Sequence, residues 1–145
     1  MINISYPAHS FETRKQGSKD YIFDALRKKW LLLTPEEWVR QNFIQYLILV
    51  KNYPATLIAI EKEIKLGDLR KRFDILVYNK NHTPWMMIEC KALAIPVSEQ
   101  VIEQVLRYNI SVPVTYMVIT NGDHTYGWER REGGAHQIGE LPQHS

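Results

Sequence analysis

Two apolar runs with charges embedded in them constrain this chain most. Phe73-Asp74-Ile75-Leu76-Val77-Tyr78 and Trp85-Met86-Met87-Ile88-Glu89-Cys90-Lys91-Ala92 flank a polar stretch from Asn79 to Pro84. They predict neighbouring strands joined by a turn. Side chains in a strand alternate between faces, so Glu89 and Lys91 must share one side, with Ile88 and Cys90 on the other. Two carboxylates held about 4–5 Å apart, as Asp74 and Glu89 would be on adjacent strands, repel by roughly 3–4 kcal/mol at an effective dielectric of about 20. That is a sizeable fraction of a small domain's stability. Two readings stand at this point. A divalent cation removes the repulsion, or Glu89 and Lys91 are solvated rungs on an exposed face and Asp74 marks a strand start.

The remaining segments place these runs in a mixed architecture. Thr34-Pro35-Glu36-Glu37 combines a capping hydroxyl, proline at the first helical position and acids in the first turn, where the helix dipole favours them. The predicted helix runs through Trp38, Phe43, Ile44, Leu47 and Ile48 to about Lys51 or Asn52 and ends at Tyr53-Pro54. Leu57 to Leu66 alternates apolar with charged residues in its second half, as a half-buried strand does, and Gly67-Asp68 supplies a turn. Pro96-Val97-Ser98-Glu99 opens a second helix with an apolar stripe of Val101, Ile102, Val105 and Leu106. Val114 to Thr120 is β-branched and bounded by Pro113 and Asn121-Gly122, and Thr125 to Arg130 follows as a further strand. Met1 to about Ser18 reads as a polar arm or short strand, Asp20 to Lys28 as a short helix or extended basic segment, and the end from Gly133 as loose. The expectation is one α/β (α+β) domain over residues 1–145, with a core of about 21–130 in the order α-β-β-β-α-β and helices on both faces of a mixed sheet.

Composition narrows the function classes. At 145 residues the chain has length for a single core. Its net charge of +2 permits nucleic-acid binding without requiring it. Cys90 is the single cysteine, so an internal disulfide and a zinc site built on several thiolates are both excluded. The first residues lack the basic segment and apolar run of a secretory leader, and no stretch approaches the ~20 apolar residues of a membrane span. A soluble, cytoplasmic protein is expected.

The acids and the lysine fit phosphodiester hydrolysis. That reaction needs a hard cation to neutralise phosphate and activate water, and carboxylate oxygens to hold the cation. Asp74 and Glu89 could supply two ligands and the main-chain carbonyl of Cys90 a third. Mg2+ keeps several waters, so a site with few protein ligands suits it, with Mn2+ as a substitute. Lys91 would sit beside the cation as proton acceptor for the attacking water, or be a snorkelling surface lysine. Gln104 and Tyr108 are four apart and share one helix face that either reaches toward the site or faces solvent. Glu37 could add an outer carboxylate, with Glu36 its close competitor; either could equally be a first-turn acid placed for the dipole. Arg70, Lys71 and Arg72 precede Asp74, and Lys62 and Lys65 lie on the preceding strand, where they could meet a DNA backbone or form a solvated face.

Asp74, Glu89-Cys90-Lys91 and Gln104-Val105-Leu106-Arg107-Tyr108, in this order of elements, resemble the PD-(D/E)xK nuclease superfamily. The run from Arg27 to Gln41 is similar to the N-terminal domain of type I restriction enzyme R subunits and related short bacterial proteins. The resemblance spans about Tyr21 to Trp128. It implies a restriction-endonuclease-like core, with Asp74 and Glu89 as metal-binding acids and Lys91 as the catalytic lysine. Gln104 and Tyr108 would be the supporting helix motif, and Glu37 the helical acid. Phe73 stands where the superfamily's name has proline, a position that supplies no metal ligand.

The leading expectation is therefore a Mg2+-dependent DNA endonuclease, acting alone, with subunits of a restriction assembly, or as a homodimer selective for branched DNA. No G-x-x-x-x-G-K-[ST] loop occurs, so an ATP-driven motor would have to come from another chain. The alternative is a catalytically inactive DNA-binding or protein-interaction module that retains the fold.

Overall fold

The computed structural model describes residues 1–145, with the Leu66 side chain excepted. A three-stranded antiparallel sheet comes first: β1 (Thr13–Gln16), β2 (Lys19–Asp24) and β3 (Lys29–Leu32). Helix α1 (Pro35–Gln45) follows, and β4 (Ile58–Leu66), β5 (Leu69–Tyr78) and β6 (Pro84–Cys90) then form a meander. Helix α2 (Glu99–Tyr108) crosses over to β7 (Tyr116–Thr120), and β8 (Thr125–Arg131) and β9 (Gly134–Ile138) complete a six-stranded sheet in sequential order. Only β6 and β7 run parallel within it, because only that step has a crossover long enough to return the chain.

The helix starts obey their local chemistry. The Glu37 amide donates to Thr34 Oγ1 at 3.0 Å, and the Val101 amide donates to Ser98 Oγ at 3.3 Å, each satisfying a donor that the first turn leaves free. After Gln45 the helix widens into a π-type turn over Tyr46–Val50, where the Lys51 amide reaches the Tyr46 carbonyl at 3.1 Å. The sheet is covered on both faces. Val39, Phe43, Ile44 and Leu47 pack with Ile75, Val77, Met86, Ile88 and Val118 on one side, and Leu106 packs with Phe73, Leu76, Met87 and Met117 on the other. No helix among the described residues is long and apolar enough to cross a membrane.

Three expectations need correction. Of the two readings of Asp20 to Lys28 the short helix falls, because this stretch is the extended β2 strand and its turn; the short strand expected before Ser18 is β1, whose four side chains are exposed and which is held by its main-chain pairing to β2 and by Arg14 over the Trp30 ring. The end from Gly133 is not loose, since β9 pairs with β8. Beyond it, Leu141 is buried, Lys51 Nζ and Tyr53 OH donate to the carbonyls of Leu141 and Pro142 at 2.9 and 2.6 Å, and the His144 ring lies against Tyr53 and Trp85. Finally, β5 begins at Leu69, four residues before the apolar run, because Arg70, Lys71 and Arg72 pair across to Lys65, Ile64 and Glu63.

Candidate functional site

The ladder between β5 and β6 runs Tyr78–Pro84, Val77–Met86, Leu76–Met87, Ile75–Ile88, and stops. Asp74 and Glu89 would form the next rung. Instead the strands part, and Asp74 Oδ2 accepts the Cys90 amide at 2.7 Å. The irregularity reaches the other side of β5 as well: Ile60–Ile75 and Lys62–Phe73 are paired, but Glu61 and Asp74 between them are not, and Glu61 has φ +53°. Positive φ at a non-glycine residue stores roughly 1–3 kcal/mol of strain. Phe73 lies in the α2-side core while Ile75 lies in the α1-side core. Residues two apart in a regular strand share a face, so β5 turns over at Asp74.

On β6 the alternation holds. Ile88 and Cys90 are buried in the α1-side core. Glu89 and Lys91 keep 27% and 32% of their side-chain surface exposed and approach each other at 3.7 Å. The Lys91 amide donates to the Thr120 carbonyl at 2.8 Å. Main-chain groups of successive strand residues point to opposite neighbours, so the Cys90 amide and carbonyl face β5. Its amide meets Asp74.

The electrostatics are set by burial without enough counter-charge. Burial, then the neighbouring Asp74 charge, push the Glu89 carboxyl up to about 7, and Lys91 offsets only part of this. Burial likewise raises Asp74, against the opposing Cys90 amide, Arg40 and Lys91. Partial burial, then Asp74, raise Glu36. Three acids therefore feel one another's field. The Cys90 thiol is pushed well up by burial and is no nucleophile.

Between the first-turn acids, Glu36 is the one within electrostatic reach of Asp74 and Lys91. Glu37 is turned inward, where its two oxygens accept from Arg40 Nη2, from Arg40 Nε at 2.9 Å and from Gln41 Nε2 at 3.0 Å. Among the described residues, no group of three or more His, Cys, Asp or Glu side chains is close enough to form a ready metal cage. Gln104 and Tyr108 are exposed on α2, and neither hydrogen-bonds to Asp74, Glu89 or Lys91. Tyr108 instead lies under Lys71, whose Nζ is 4.2 Å from the ring centroid. Lys71 is 4% exposed, and burial lowers its pKa. Lys62, Lys65, Arg70 and Arg72 are exposed along the β4–β5 hairpin, with Arg70 3.7 Å from Glu63.

Two concavities bear on the site. A cleft of about 520 Å3 is lined by Leu31, Thr34, both first-turn acids Glu36 and Glu37, Arg40, Glu61 and Ala92. A groove of about 770 Å3 lies elsewhere, between α2 and β7–β9, among Ile102, Leu106, Met117 and Trp128. Its lining carries none of Asp74, Glu89 and Lys91, and neither does that of the smaller cleft, which is tied to them through the field of Glu36. The inward turn of Glu37 had one signal in the sequence, Arg40 and Gln41 three and four residues on, where a helix brings them beside it.

The model of one protein family, described as type I restriction enzyme R protein N terminus, matches residues 35–142. That segment contains α1, the six-stranded sheet, α2 and every acid discussed above. No curated protein matches the chain.

Proposed function

The chain belongs to the type I restriction enzyme R protein N-terminus family, and on that premise we propose that it is a metal-dependent DNA nuclease module of a restriction system. The observation that carries this reading is the end of the β5–β6 ladder, where the half-buried carboxylates of Asp74 and Glu89 feel each other's charge and Lys91 lies 3.7 Å from Glu89. Resemblance to the PD-(D/E)xK superfamily supports it. Mg2+ fits the donor set: Asp74, Glu89 and the Cys90 carbonyl are hard oxygens, few in number, which suits an ion that keeps several waters; Mn2+ would accept the same oxygens. The upward shift of both carboxyls is what acids awaiting a cation should have.

Bound there, the cation would neutralise phosphate charge and sharpen a water as nucleophile. The protein's own groups do the rest. The Cys90 amide holds Asp74 in place, leaving Oδ1 for a ligand. Glu89 and Lys91, on one face of β6, set a negative and a positive group side by side. The lysine can touch a phosphate oxygen and take a proton from the water. Glu36, at the cleft mouth, can hold a water of the outer sphere. Lys62, Lys65, Arg70 and Arg72 on the nearby hairpin offer contacts to DNA backbone. Other restriction subunits or a second copy of the chain are the partners this role calls for.

A second reading has its own support in the lack of a three-acid cage among the described residues and in Gln104 and Tyr108 making no hydrogen bond to the acids: a DNA-binding or protein-interaction module without turnover. Incubation of supercoiled DNA with Mg2+ or chelator separates the two. The nuclease reading expects Mg2+-dependent nicking that falls by about 100-fold or more in Lys91→Ala, with DNA affinity changed by no more than a few-fold. No cation uptake in calorimetry at millimolar Mg2+ with DNA present would hand the role to the second reading.

A further inference from the structure

The sheet β1–β3 precedes residue 35, where the family match begins, and its two faces differ. Ile22 and Asp24 alternate onto the side packed against the body and are 0% and 1% exposed. Asp24 is fastened there through Arg27, which also reaches Glu61. Alternation puts Tyr21 and Phe23 on the outer side. Their cross-strand partners are Arg14 and Leu32 for Tyr21, and Trp30 for Phe23. All three aromatic rings are only half-buried. Trp30 stands edge to face with Phe23 at 5.3 Å, and the Arg14 guanidinium lies 4.3 Å from the centroid of the Trp30 ring.

Cations surround this face. Arg14 and Lys19 share it, and Lys15, Lys28 and Lys29 stand at its margins; all five are exposed and none forms a salt bridge among the described residues. Lysine on an edge strand discourages pairing with another chain, which accounts for Lys15 on β1. It does not account for the turn cation Lys28, nor for aromatic rings left half open beside the cations.

We infer that this outer face binds single-stranded DNA, with unpaired bases stacking on Trp30 and Tyr21 and the backbone phosphates meeting Arg14, Lys19 and Lys28. Flat aromatic rings on a sheet reward a strand whose base faces are free, which a duplex hides. Phosphate contacts by unpaired cations release counterions and give salt-dependent affinity. The face also borders the cleft that holds Glu36, since Leu32, the partner of Tyr21 at the end of β3, lines it. The choice of DNA over RNA rests on the proposed restriction-type role.

Fluorescence anisotropy with a labelled thymidine oligomer of about 12 nucleotides, the full chain and a chelator tests this without reading hydrolysis. Trp30→Ala should weaken binding about tenfold. The Arg14→Glu, Lys19→Glu double variant alters only exposed side chains, so it tests the face even if Trp30→Ala disturbs folding. It should weaken binding by about tenfold or more and flatten the salt dependence. The inference is overturned if the parent does not bind the oligomer, if a duplex of the same length binds as tightly, if the uridine oligomer binds more tightly, or if the charge-reversed variant binds like the parent. Because no hydrolysis is read, failure here leaves the nuclease reading standing, and failure to nick leaves this surface standing.

Discussion

Two groups of charges lie side by side in this protein, and they are resolved in opposite ways. In the first, Asp24, Arg27, Glu61, Arg40 and Glu37 form a continuous ion-pair chain from the β2–β3 turn through β4 to α1. Burial acts to raise Glu61, but Arg40 and Arg27 outweigh it and bring that carboxyl below its usual value. In the second, Asp74 and Glu89 have one lysine between them, and burial raises both. Degree of burial does not separate the groups, since Asp24 and Glu37 are more deeply buried than Glu89. Counter-charge does. Arg40 is close enough to act on Asp74, yet its nitrogens are committed to Glu37 and Glu61. The fold thus pairs its structural acids with arginines and leaves a neighbouring pair of acids with less counter-charge.

The largest effect should come from breaking the satisfied group. Arg40→Leu strands Glu37, 7% exposed, with only Gln41 as a partner. Removing one member of a buried pair costs about 3–5 kcal/mol, and urea unfolding should register a lowered midpoint with an unchanged slope. Replacing Glu37 by Leu in the same protein should recover much of the loss, because the penalty is the orphaned charge. Recovery of none would mean that Arg40 stabilises the fold through Glu61 alone.

A smaller effect, of opposite sign, is expected in the unsatisfied group. The folded protein holds on to a proton at Glu89 that the unfolded chain releases near 4.5, so the contribution of Glu89 to stability is greatest below that value and falls as pH rises to about 7. Glu89→Gln should remove this decline and, without divalent ions, stabilise the protein at pH 8 by roughly 2 kcal/mol. Thermal melts at pH 5 and pH 8 provide the measurement. Mg2+ should raise the melting temperature of the parent more at pH 8 than at pH 5, since at the lower value it competes with protons. A parent protein whose stability is level from pH 5 to pH 8 would mean that the two groups do not differ.

How much of this contrast can be read from the sequence depends on the range of the interactions. The capped start at Thr34, the stop at Tyr53-Pro54, the Gly67 turn and the Ser98 cap are local, and each lies where its residues predict. The shared face of Glu89 and Lys91 follows from strand alternation alone. The turnover of β5 at Asp74 contradicts alternation, and it depends on Glu61, thirteen residues earlier in the chain and at positive φ. The strands β1 and β9 carry almost no apolar signal, since their hydrogen bonds to β2 and β8 hold them. Both first-turn acids line the cleft, and which of them is left without a partner depends on the contacts that α1 makes. Arg40 and Gln41, three and four residues on, occupy Glu37, as helix spacing allows, but Arg40 is itself held by Glu61 on β4, a tertiary contact that helix periodicity does not give.

The finest test of the contrast lies within Asp74 itself, which belongs to both kinds of chemistry. One oxygen is satisfied by the Cys90 amide at 2.7 Å, while burial keeps the carboxyl charge unfavourable. Asp74→Asn retains an oxygen that can accept the amide and removes the charge, so it should fold at least as stably as the parent while binding Mg2+ more weakly in calorimetry. Asp74→Ala removes both and leaves the Cys90 amide without an acceptor at the parted end of the strands, a loss of about 1–3 kcal/mol relative to the asparagine variant. If the two variants unfold at the same urea concentration, the amide contact does not hold the strands. The parted geometry would then have to be maintained by the Glu61 backbone and the ion-pair chain, and Asp74 would be free to serve a ligand with both oxygens.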